Sequence, residues 1–317
     1  MHLIDPLEPR QLLAATLTNG ILRVSGTSGS DTISISLRNH AYTVKINSSN
    51  KTFSAPSVRS LLVRGNAGND SITLSGKIKA TATIRGDDGE DSIRGSNASE
   101  QIIGGNGDDS IRGGIGDDTI RGDDGDDSLF GEIGDDSLFG GTGDDQILGG
   151  DDADFISGHR GNDDLNGGAG EDTIDGGDDE DTLHGGEGRD SLSGNDDDDE
   201  LFGGDDNDDL SGGEGDDFLD GGIDDDFMDG GLDNDTLFDH EGQDTLIGGA
   251  DDDDLDAHDG DQDDSLDIRS GHDHIRADVF DEIIDRTNEL PEDNCTFVLG
   301  LLTCNPAPST PSLRISF

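Results

Sequence analysis

The sequence predicts an all-β protein: a parallel β-roll or β-helix solenoid with an N-terminal β cap and a partly irregular C-terminal tail. Three observations support this fold class. Residues 86–256 repeat every nine positions without a break in phase. Each repeat holds one large apolar residue at position 8, after a stretch rich in Gly and Asp. The chain carries 76 acidic and 19 basic residues, and most of the acidic excess lies inside the repeats. Repetition at a fixed short period is typical of solenoids.

The register of the repeat is strict. Residues 104–112 read Gly-Gly-Asn-Gly-Asp-Asp-Ser-Ile-Arg, and 113–121 follow the same template. Residues 86–256 contain 19 units, and position 8 is Ile, Leu or Met in all of them. Position 6 is Asp in 18 units, the exception being Glu100, and position 1 is Gly in 18, the exception being Asp239. A solvated acidic tail would need neither an unbroken nine-residue register nor an aliphatic residue at position 8 of every unit. The pattern therefore indicates a folded structure.

The residue types predict how one unit is built. A Gly- and Asp-rich stretch of six suits a tight turn, with glycines at positions 1, 2 and 4 supplying positive φ. The last three residues suit a very short strand whose position 8 points inward while positions 7 and 9 face solvent. Two units then make one coil, and the position-6 carboxylates of successive coils lie above one another.

Composition divides the chain into four regions. We assign 1–19 to an N-terminal segment, 20–85 to a β-rich cap or irregular first coils, 86–276 to the repeat array and 277–317 to a C-terminal tail. Residues 1–85 carry a net charge of +6, the array −58 and the tail −5. The cap can therefore fold on apolar contacts, and solenoids need such caps to close their open edges.

The repeat becomes irregular at both ends of the array. Isolated units lie upstream at 26–34 and 65–73. Two extra residues, Ala257 and His258, shift the phase before two further units with Asp264 and Asp273 at position 6.

The same composition excludes some functions. A net charge of −57 repels the phosphate backbone, so no nucleic-acid partner is expected. No run of about 18 apolar residues exists, so no membrane span is expected. With only 28% hydrophobic residues, the chain also resembles a disordered polymer unless something other than apolar burial folds it.

A divalent cation would resolve the repulsion between stacked carboxylates. Two unit charges about 5 Å apart repel by roughly 3 kcal/mol at an effective dielectric constant of about 20. Repeated along both edges, this exceeds a typical domain stability of about 5–15 kcal/mol. Ligands made only of carboxylate and carbonyl oxygens select a hard cation, and a flexible cage of many oxygens favours Ca²⁺ over Mg²⁺. The sequence therefore predicts that the array binds multiple Ca²⁺ ions.

The repeat Gly-Gly-x-Gly-x-Asp-x-apolar-x resembles the RTX, or haemolysin-type, calcium-binding nonapeptide repeat. The resemblance is close over 86–276 and loose over 26–85. It implies a parallel β-roll in which Ca²⁺ lies between successive turns, bound by position-6 carboxylates and backbone carbonyls of the Gly turns. The implied metal ligands are Asp91, Asp109, Asp118, Asp127, Asp136, Asp145, Asp154, Asp163, Asp172, Asp181, Asp190, Asp199, Asp208, Asp217, Asp226, Asp235, Asp244 and Asp253.

Two departures from the template concern these sites. The unit 95–103, with Ser96, Ala98 and Glu100, is degenerate, so we expect a weak or empty site there. Position 4 is Asp instead of Gly in seven units, and Asp tolerates the left-handed backbone less well than Gly. The extra Asp either adds ion capacity or reflects drift in a low-complexity array, and we favour drift.

The two ends carry weaker signals. Residues 7–13, Leu-Glu-Pro-Arg-Gln-Leu-Leu, resemble the LEPR-XLL motif found near the N-termini of large repetitive bacterial proteins. Charged residues interrupt any signal-peptide core, so export by a C-terminal signal is the alternative. Cys295 and Cys304 are the only cysteines, and either a disulfide or two free thiols fits them.

No catalytic residues are expected. The chain contains neither His-Glu-x-x-His nor Gly-x-Ser-x-Gly. In phase, Asp273 is a position-6 residue, so we interpret His272-Asp273-His274 as solvated surface. Residues 259–263 resemble an EF-hand loop but lack its glycine.

These observations favour a secreted, extracellular calcium-binding repeat protein that folds on binding Ca²⁺ and has a structural or interaction role. Two alternatives stay open. The chain is an accessory module or fragment of a secreted hydrolase or epimerase, or it is a calcium-dependent adhesin with a glycan or cell-surface partner.

Overall fold

A computed structural model describes residues 14–257, 264–277, 282–285, 295–298, 301–304 and 314–315. The protein is all-β, with 65% of the described residues in strands and about 12 solenoid coils, which confirms the predicted fold class. A short 3-10 turn spans Ala55–Ser57. The described residues form strands β1 to β33 in chain order: Ala14–Thr18, Ile21–Ser25, Thr32–Arg38, Ala41–Ile46, Ser49–Ser54, Ser60–Ala67, Ser71–Gly76, Thr81–Asp88, Ser92–Arg94, Glu100–Asn106, Ser110–Ile115, Thr119–Asp124, Ser128–Ile133, Ser137–Thr142, Gln146–Asp151, Phe155–Arg160, Asp164–Ala169, Thr173–Asp178, Thr182–Glu187, Ser191–Asp196, Glu200–Asp205, Asp209–Glu214, Phe218–Ile223, Phe227–Leu232, Thr236–Phe238, Thr245–Gly249, Asp254–Ala257, Ser265–Ile268, His274–Ala277, Glu282–Asp285, Cys295–Val298, Leu301–Cys304 and Arg314–Ile315.

Successive strands alternate between two parallel sheets, as expected for two units per coil. Sheet A contains β2, β6 and the even-numbered strands from β8 to β30, with β1 on its N-terminal edge. Sheet B contains β3, β7 and the odd-numbered strands from β9 to β29. Over most of the array each strand pairs with the strand 18 residues away, as β11 does with β13. The chain therefore passes from one sheet to the other at two edges of the solenoid.

The array strands are longer than the sequence predicted. A turn of six and a strand of three were expected, but β11 runs from position 7 of one unit to position 3 of the next, leaving a turn of three. The ladder explains the difference. Ser110–Arg112 and Gly114–Ile115 each pair with the next coil, and only Gly113, at position 1, is skipped. Because identical coils stack in register, positions 2 and 3 also form hydrogen bonds between coils.

The core is a single ladder of aliphatic side chains, as predicted for position 8. Every position-8 side chain in the array is buried, with no more than 2% of its surface exposed. The flanking positions 7 and 9 are exposed or half-buried in most units, as in Ser110 and Arg112 of β11. Successive parallel strands therefore stack one large apolar residue per unit along the solenoid interior.

The N-terminal coils have a richer core than the array and an antiparallel cap. Strand β1 pairs with β2, and β4 joins β3 to β5 in an antiparallel meander. Tyr42 and Val44 of β4 are buried, whereas β5 is exposed along most of its length. A polar outer strand closes the solenoid without presenting an apolar edge to other chains.

The C-terminal end departs from the strict period at the predicted insertion. The ladder spacing rises from 18 to 20 residues where Asp244 bonds Asp264 and Asp253 bonds Asp273. Strands β32 and β33 then pair antiparallel to β29 and β30. Cys295 and Cys304 are backbone partners in the β31–β32 ladder. The LEPR-XLL-like segment and the EF-hand-like segment 259–263 lie outside the described residues. Within the described part of the chain, no helix is long and apolar enough to cross a membrane.

Candidate metal centre

The position-6 carboxylates form two columns, one along each edge of the solenoid. In each column the backbone N–H of one carboxylate residue donates to the Oδ1 atom of the next, one coil further along. Asp109 donates to Asp127 at 2.7 Å, and Asp118 donates to Asp136 at 2.6 Å. Column one comprises Asp31, Asp70, Asp91, Asp109, Asp127, Asp145, Asp163, Asp181, Asp199, Asp217, Asp235, Asp253 and Asp273. Column two comprises Glu100, Asp118, Asp136, Asp154, Asp172, Asp190, Asp208, Asp226, Asp244 and Asp264.

These carboxylates are buried, and in eighteen of them one of the two oxygens has no hydrogen-bond partner. Every column member has 8% or less of its surface exposed. A buried polar atom without a hydrogen-bond partner costs about 1–3 kcal/mol, and more if it is charged. Among the described residues, the second carboxylate oxygen, Oδ2, is buried without a partner in Asp70, Asp91, Asp109, Asp118, Asp127, Asp136, Asp145, Asp154, Asp163, Asp172, Asp181, Asp190, Asp199, Asp208, Asp217, Asp226, Asp235 and Asp253.

Each orphaned oxygen faces a small cradle beside the position-1 glycine. A Cβ atom built at Gly176 would lie 2.5 Å from Asp181 Oδ2 and 3.0 Å from the carbonyl oxygen of Gly194. The carboxylate of one coil and a backbone carbonyl of the next therefore border the same space. This geometry corrects one prediction. Position-1 glycines such as Gly176 do not have positive φ; they are required because a side chain would collide with the carboxylate.

Burial makes the carboxylate charge unfavourable in the bare fold. Desolvation raises the pKa of Asp109 from 3.8 to about 7, and it raises the pKa of Asp118 and of Asp235 to about 8. The N–H donor from the neighbouring coil lowers the pKa of each carboxyl, and repulsion between column members raises it further. A bound cation, or protonation, would remove this unfavourable buried charge.

The donor chemistry of the cradle fits a hard divalent cation. The groups that border it at Gly176 are carboxylate and carbonyl oxygens, which are the ligands that Ca²⁺ and Mg²⁺ take from proteins. The orphaned Oδ2 atoms are anionic acceptors aimed into a space that a methyl group would fill, so a positive ion satisfies both their charge and their free lone pairs.

Comparison with known families agrees with this geometry. The family model of the RTX calcium-binding nonapeptide repeat matches residues 82–111, 103–138, 139–174, 175–210, 202–237 and 229–261, which is more than half of the chain. The chain belongs to the RTX calcium-binding repeat family. The sequence resemblance to RTX repeats is therefore confirmed over 82–261, and the β-roll with its buried Asp stacks fits calcium binding. No curated protein sequence matches this RTX chain.

All eighteen residues predicted as RTX ligands lie in the two columns. Asp91, Asp109 and every second predicted ligand after Asp109 lie in column one, along one edge of the solenoid. Asp118 and every second predicted ligand after it lie in column two, along the other edge. The ligands predicted from the sequence did not include Asp70, which is 2% exposed and has the same orphaned Oδ2. Its unit, 65–73, fits the nonapeptide template, but the 21-residue spacing to Asp91 hid its membership of the column. Asp264 and Asp273 also continue the columns, although they were not among the ligands predicted from the sequence.

One RTX unit places a third carboxylate beside a column. Asp239 occupies position 1, where nearly every other unit has Gly, and its side chain is 2% exposed. Asp239, Asp244 and Asp264 each bring one carboxylate oxygen within 4.8 Å of the others. Sequence reasoning noted Asp239 only as an exception, whereas the register places it next to two column members. His272 and His274 are exposed, as the interpretation as solvated surface predicted, whereas Asp273 between them is buried.

The surplus Asp residues at positions 4 and 5 have a structural role in the turn. All seven position-4 Asp residues adopt positive φ, for example +81° at Asp179 and +71° at Asp233. At position 5, exposed Asp126 donates its N–H to Asp108 Oδ1 at 3.1 Å, and Asp144 donates to Asp126 Oδ1. In each such turn, two backbone N–H groups, one at position 5 and one at position 6, donate hydrogen bonds to carboxylates of neighbouring coils.

Proposed function

We propose that this chain is a secreted calcium-binding repeat protein that folds when its columns bind multiple Ca²⁺ ions and that has a structural or interaction role. The observation that carries the proposal is the series of eighteen buried Oδ2 atoms without partners. Such a series has no stable apo state at neutral pH, because each charge would be buried and uncompensated.

The proposed ligands are the Oδ2 atoms of the position-6 Asp residues and the carbonyl oxygens of the position-1 glycines. Both groups border the cradle at Gly176, Asp181 and Gly194. Ligands made only of carboxylate and carbonyl oxygens suit Ca²⁺, which tolerates variable geometry, better than the smaller and geometrically stricter Mg²⁺. Asp70 joins the eighteen predicted residues in this role because its environment is the same.

Extracellular location follows from the coupling between binding and folding. Extracellular calcium modules bind with dissociation constants of about 10⁻⁴–10⁻³ M, so columns of this kind stay expanded at cytosolic Ca²⁺ levels. An expanded, strongly charged chain passes through an export channel more readily than a folded solenoid. Folding then occurs where Ca²⁺ is abundant.

A role without catalysis is the best-supported reading of the acidic residues. The β-roll of RTX repeats is typically structural, and the column carboxylates are engaged in closing turns. The exposed position-5 carboxylates likewise accept N–H groups of the next coil. We therefore place the interaction role on the outer faces of the sheets and not on a catalytic cleft.

The test is a Ca²⁺ titration of the purified full chain followed by circular dichroism and calorimetry. We expect a change from a disordered to a β spectrum at millimolar Ca²⁺, reversed by EGTA, with many ions bound per chain. Mg²⁺ at the same ionic strength is the control and should fold the chain far less. An identical β spectrum in EGTA and in Ca²⁺ would contradict the proposal.

A further inference from the structure

Each carboxylate column starts at a member that differs from all the members above it. Column one starts at Asp31 and column two at Glu100. The other members receive a backbone N–H from the preceding coil on Oδ1, but the first member has no preceding carboxylate residue to supply it. Both first members are nevertheless buried, at 4% exposed each.

Protein donors surround the carboxylate of Asp31. Its Oδ2 accepts the backbone N–H of Thr27 at 2.5 Å and the Thr27 hydroxyl at 2.9 Å. Its Oδ1 accepts the amide Nδ2 of Asn47 at 2.5 Å. Three donors therefore satisfy both oxygens, and three charge-assisted hydrogen bonds stabilise a buried carboxylate well.

Glu100 repeats this arrangement at the other edge. Its Oε2 accepts the backbone N–H of Ser96 at 2.9 Å, and its Oε1 accepts the Ser96 hydroxyl at 2.6 Å. Asp118, one coil further along the same column, has no donor on Oδ2. The extra methylene of Glu lets its carboxylate reach both donors of a single serine.

The two closures share a sequence feature. Thr27 and Ser96 both occupy position 2 of their units, and neither has a positive φ. From Gly105 to Gly231, every position-2 residue has a φ between +79° and +135°. A hydroxyl residue with ordinary backbone geometry at position 2 thus directs its N–H and O–H at the carboxylate.

We propose that Asp31 and Glu100 are the cation-free ends of the two columns, and that a Ser or Thr at position 2 replaces Ca²⁺ there. The inference rests on the proposed function, because it divides the carboxylates into those that need an ion and those that do not. It also gives the prediction of a weak or empty site at 95–103 a physical cause.

The surroundings of Glu100 explain why column two ends there. The β8–β10 ladder places Ala82 opposite Glu100, and the β6–β8 ladder places Leu61 opposite Ala82. Ala82 and Leu61 are both buried. Below Glu100 the same structural position is therefore apolar, so the column needs a closure that leaves no charge exposed to the apolar coils.

The number of bound ions tests the proposal through a matched pair in one column. Equilibrium dialysis with elemental analysis counts Ca²⁺ per full chain at saturating concentration. We expect E100Q to retain the wild-type number, because the Gln carbonyl oxygen still accepts the Ser96 N–H and its amide N–H donates to the Ser96 hydroxyl oxygen, with the direction of that second bond reversed. We expect D118N to lose at least one ion. An ion loss in E100Q equal to that in D118N would overturn the proposal.

A second pair and a gain of function extend the test. D31N should keep the wild-type ion number, while D70N should lose at least one ion. The double variant S96G/E100D restores Gly at position 2 and Asp at position 6 of this unit and should gain one ion, and an unchanged count in it would also overturn the proposal. Circular dichroism in Ca²⁺ confirms that each variant is folded. If the wild-type chain binds no Ca²⁺, both this proposal and the proposed function fail. If the wild-type chain binds Ca²⁺ but the two variants of each pair lose the same number of ions, only this proposal fails.

Discussion

The N-terminal coils and the repeat array place different side chains at the same structural position. At the edge where the chain enters sheet A, Leu22, Leu61 and Ala82 stack through the β2–β6 and β6–β8 ladders. The next ladder sets Ala82 against Glu100, and from Asp118 onward the position is Asp in each coil of column two. All of these side chains are buried.

The difference teaches how one solenoid combines two sources of stability. A buried Leu contributes about 1.5–3 kcal/mol without any partner. A buried carboxylate oxygen without a partner costs about 1–3 kcal/mol instead. In sheet B the N-terminal coils add Ile35 and Leu74 at the position where the array has Gly. The N-terminal coils therefore carry their own core, whereas the array, on the proposed function, depends on a cation.

The largest expected effect comes from pH in metal-free buffer. The folded-state pKa of column residues such as Asp109 lies near 7, above the ordinary value of 3.8, so protons stabilise the fold. That stabilisation is complete below about pH 4 and is lost as pH rises through 7 to 8. Circular dichroism should show β structure in the array at pH 5.5 and its loss at pH 9. With Ca²⁺ present, the spectrum should stay β at both values, and a pH-independent metal-free spectrum would refute this prediction.

A reciprocal exchange between the two regions should give the next largest effects. L61D buries a charge in the apolar coils and should lower the free energy of unfolding by at least about 3 kcal/mol, with no rescue by Ca²⁺. D136L removes an orphaned oxygen and should stabilise the metal-free chain by about 1–3 kcal/mol.

Urea unfolding with and without Ca²⁺ at pH 5.5, where protonation keeps the metal-free array folded, measures both changes. D136N is the matched control, because it removes the charge but keeps a polar side chain. A D136L chain that is less stable than D136N in metal-free buffer would show that the array position does not favour apolar side chains.

Filling one cradle should have a moderate effect. In G176A the new methyl group meets Asp181 Oδ2 and the Gly194 carbonyl, so the chain should lose at least one bound ion. Overpacking should also lower stability in Ca²⁺ by about 1–3 kcal/mol. G29A is the control, since no atom lies within 4 Å of its Cβ position. Calorimetric ion counts should separate the two variants, and equal counts would mean that the cradle holds no ion.

The smallest effect is expected at position 5. D126A removes an exposed carboxylate that accepts the Asp144 N–H, so stability should fall by no more than about 1 kcal/mol. The ion count should stay at the wild-type value because Asp126 is not a column member. A lost ion in D126A would assign position 5 to the metal sites. It would contradict the claim that only the buried carboxylates bind ions.

The sequence predicted the features that repeat and missed those that occur once. The nine-residue phase fixed the position-8 core and the column members from Asp109 to Asp235, because identical coils must stack in register. The equivalence of Leu61 and Ala82 with position 6 was hidden, since the β4–β5 hairpin and the 76–80 loop interrupt the phase. The closures by Thr27 and Ser96 also depend on side-chain reach, which spacing alone does not reveal.

Hydrogen–deuterium exchange of the full chain tests the central claim most directly. Peptides from residues 20–74 and 104–256 are compared in EGTA and in saturating Ca²⁺ at neutral pH. We predict that the array peptides exchange rapidly in EGTA and become protected in Ca²⁺, while the N-terminal peptides stay substantially protected in both. Equal, strong protection of the array with and without Ca²⁺ would contradict the account, because it would show that the buried carboxylate columns are stable without a cation.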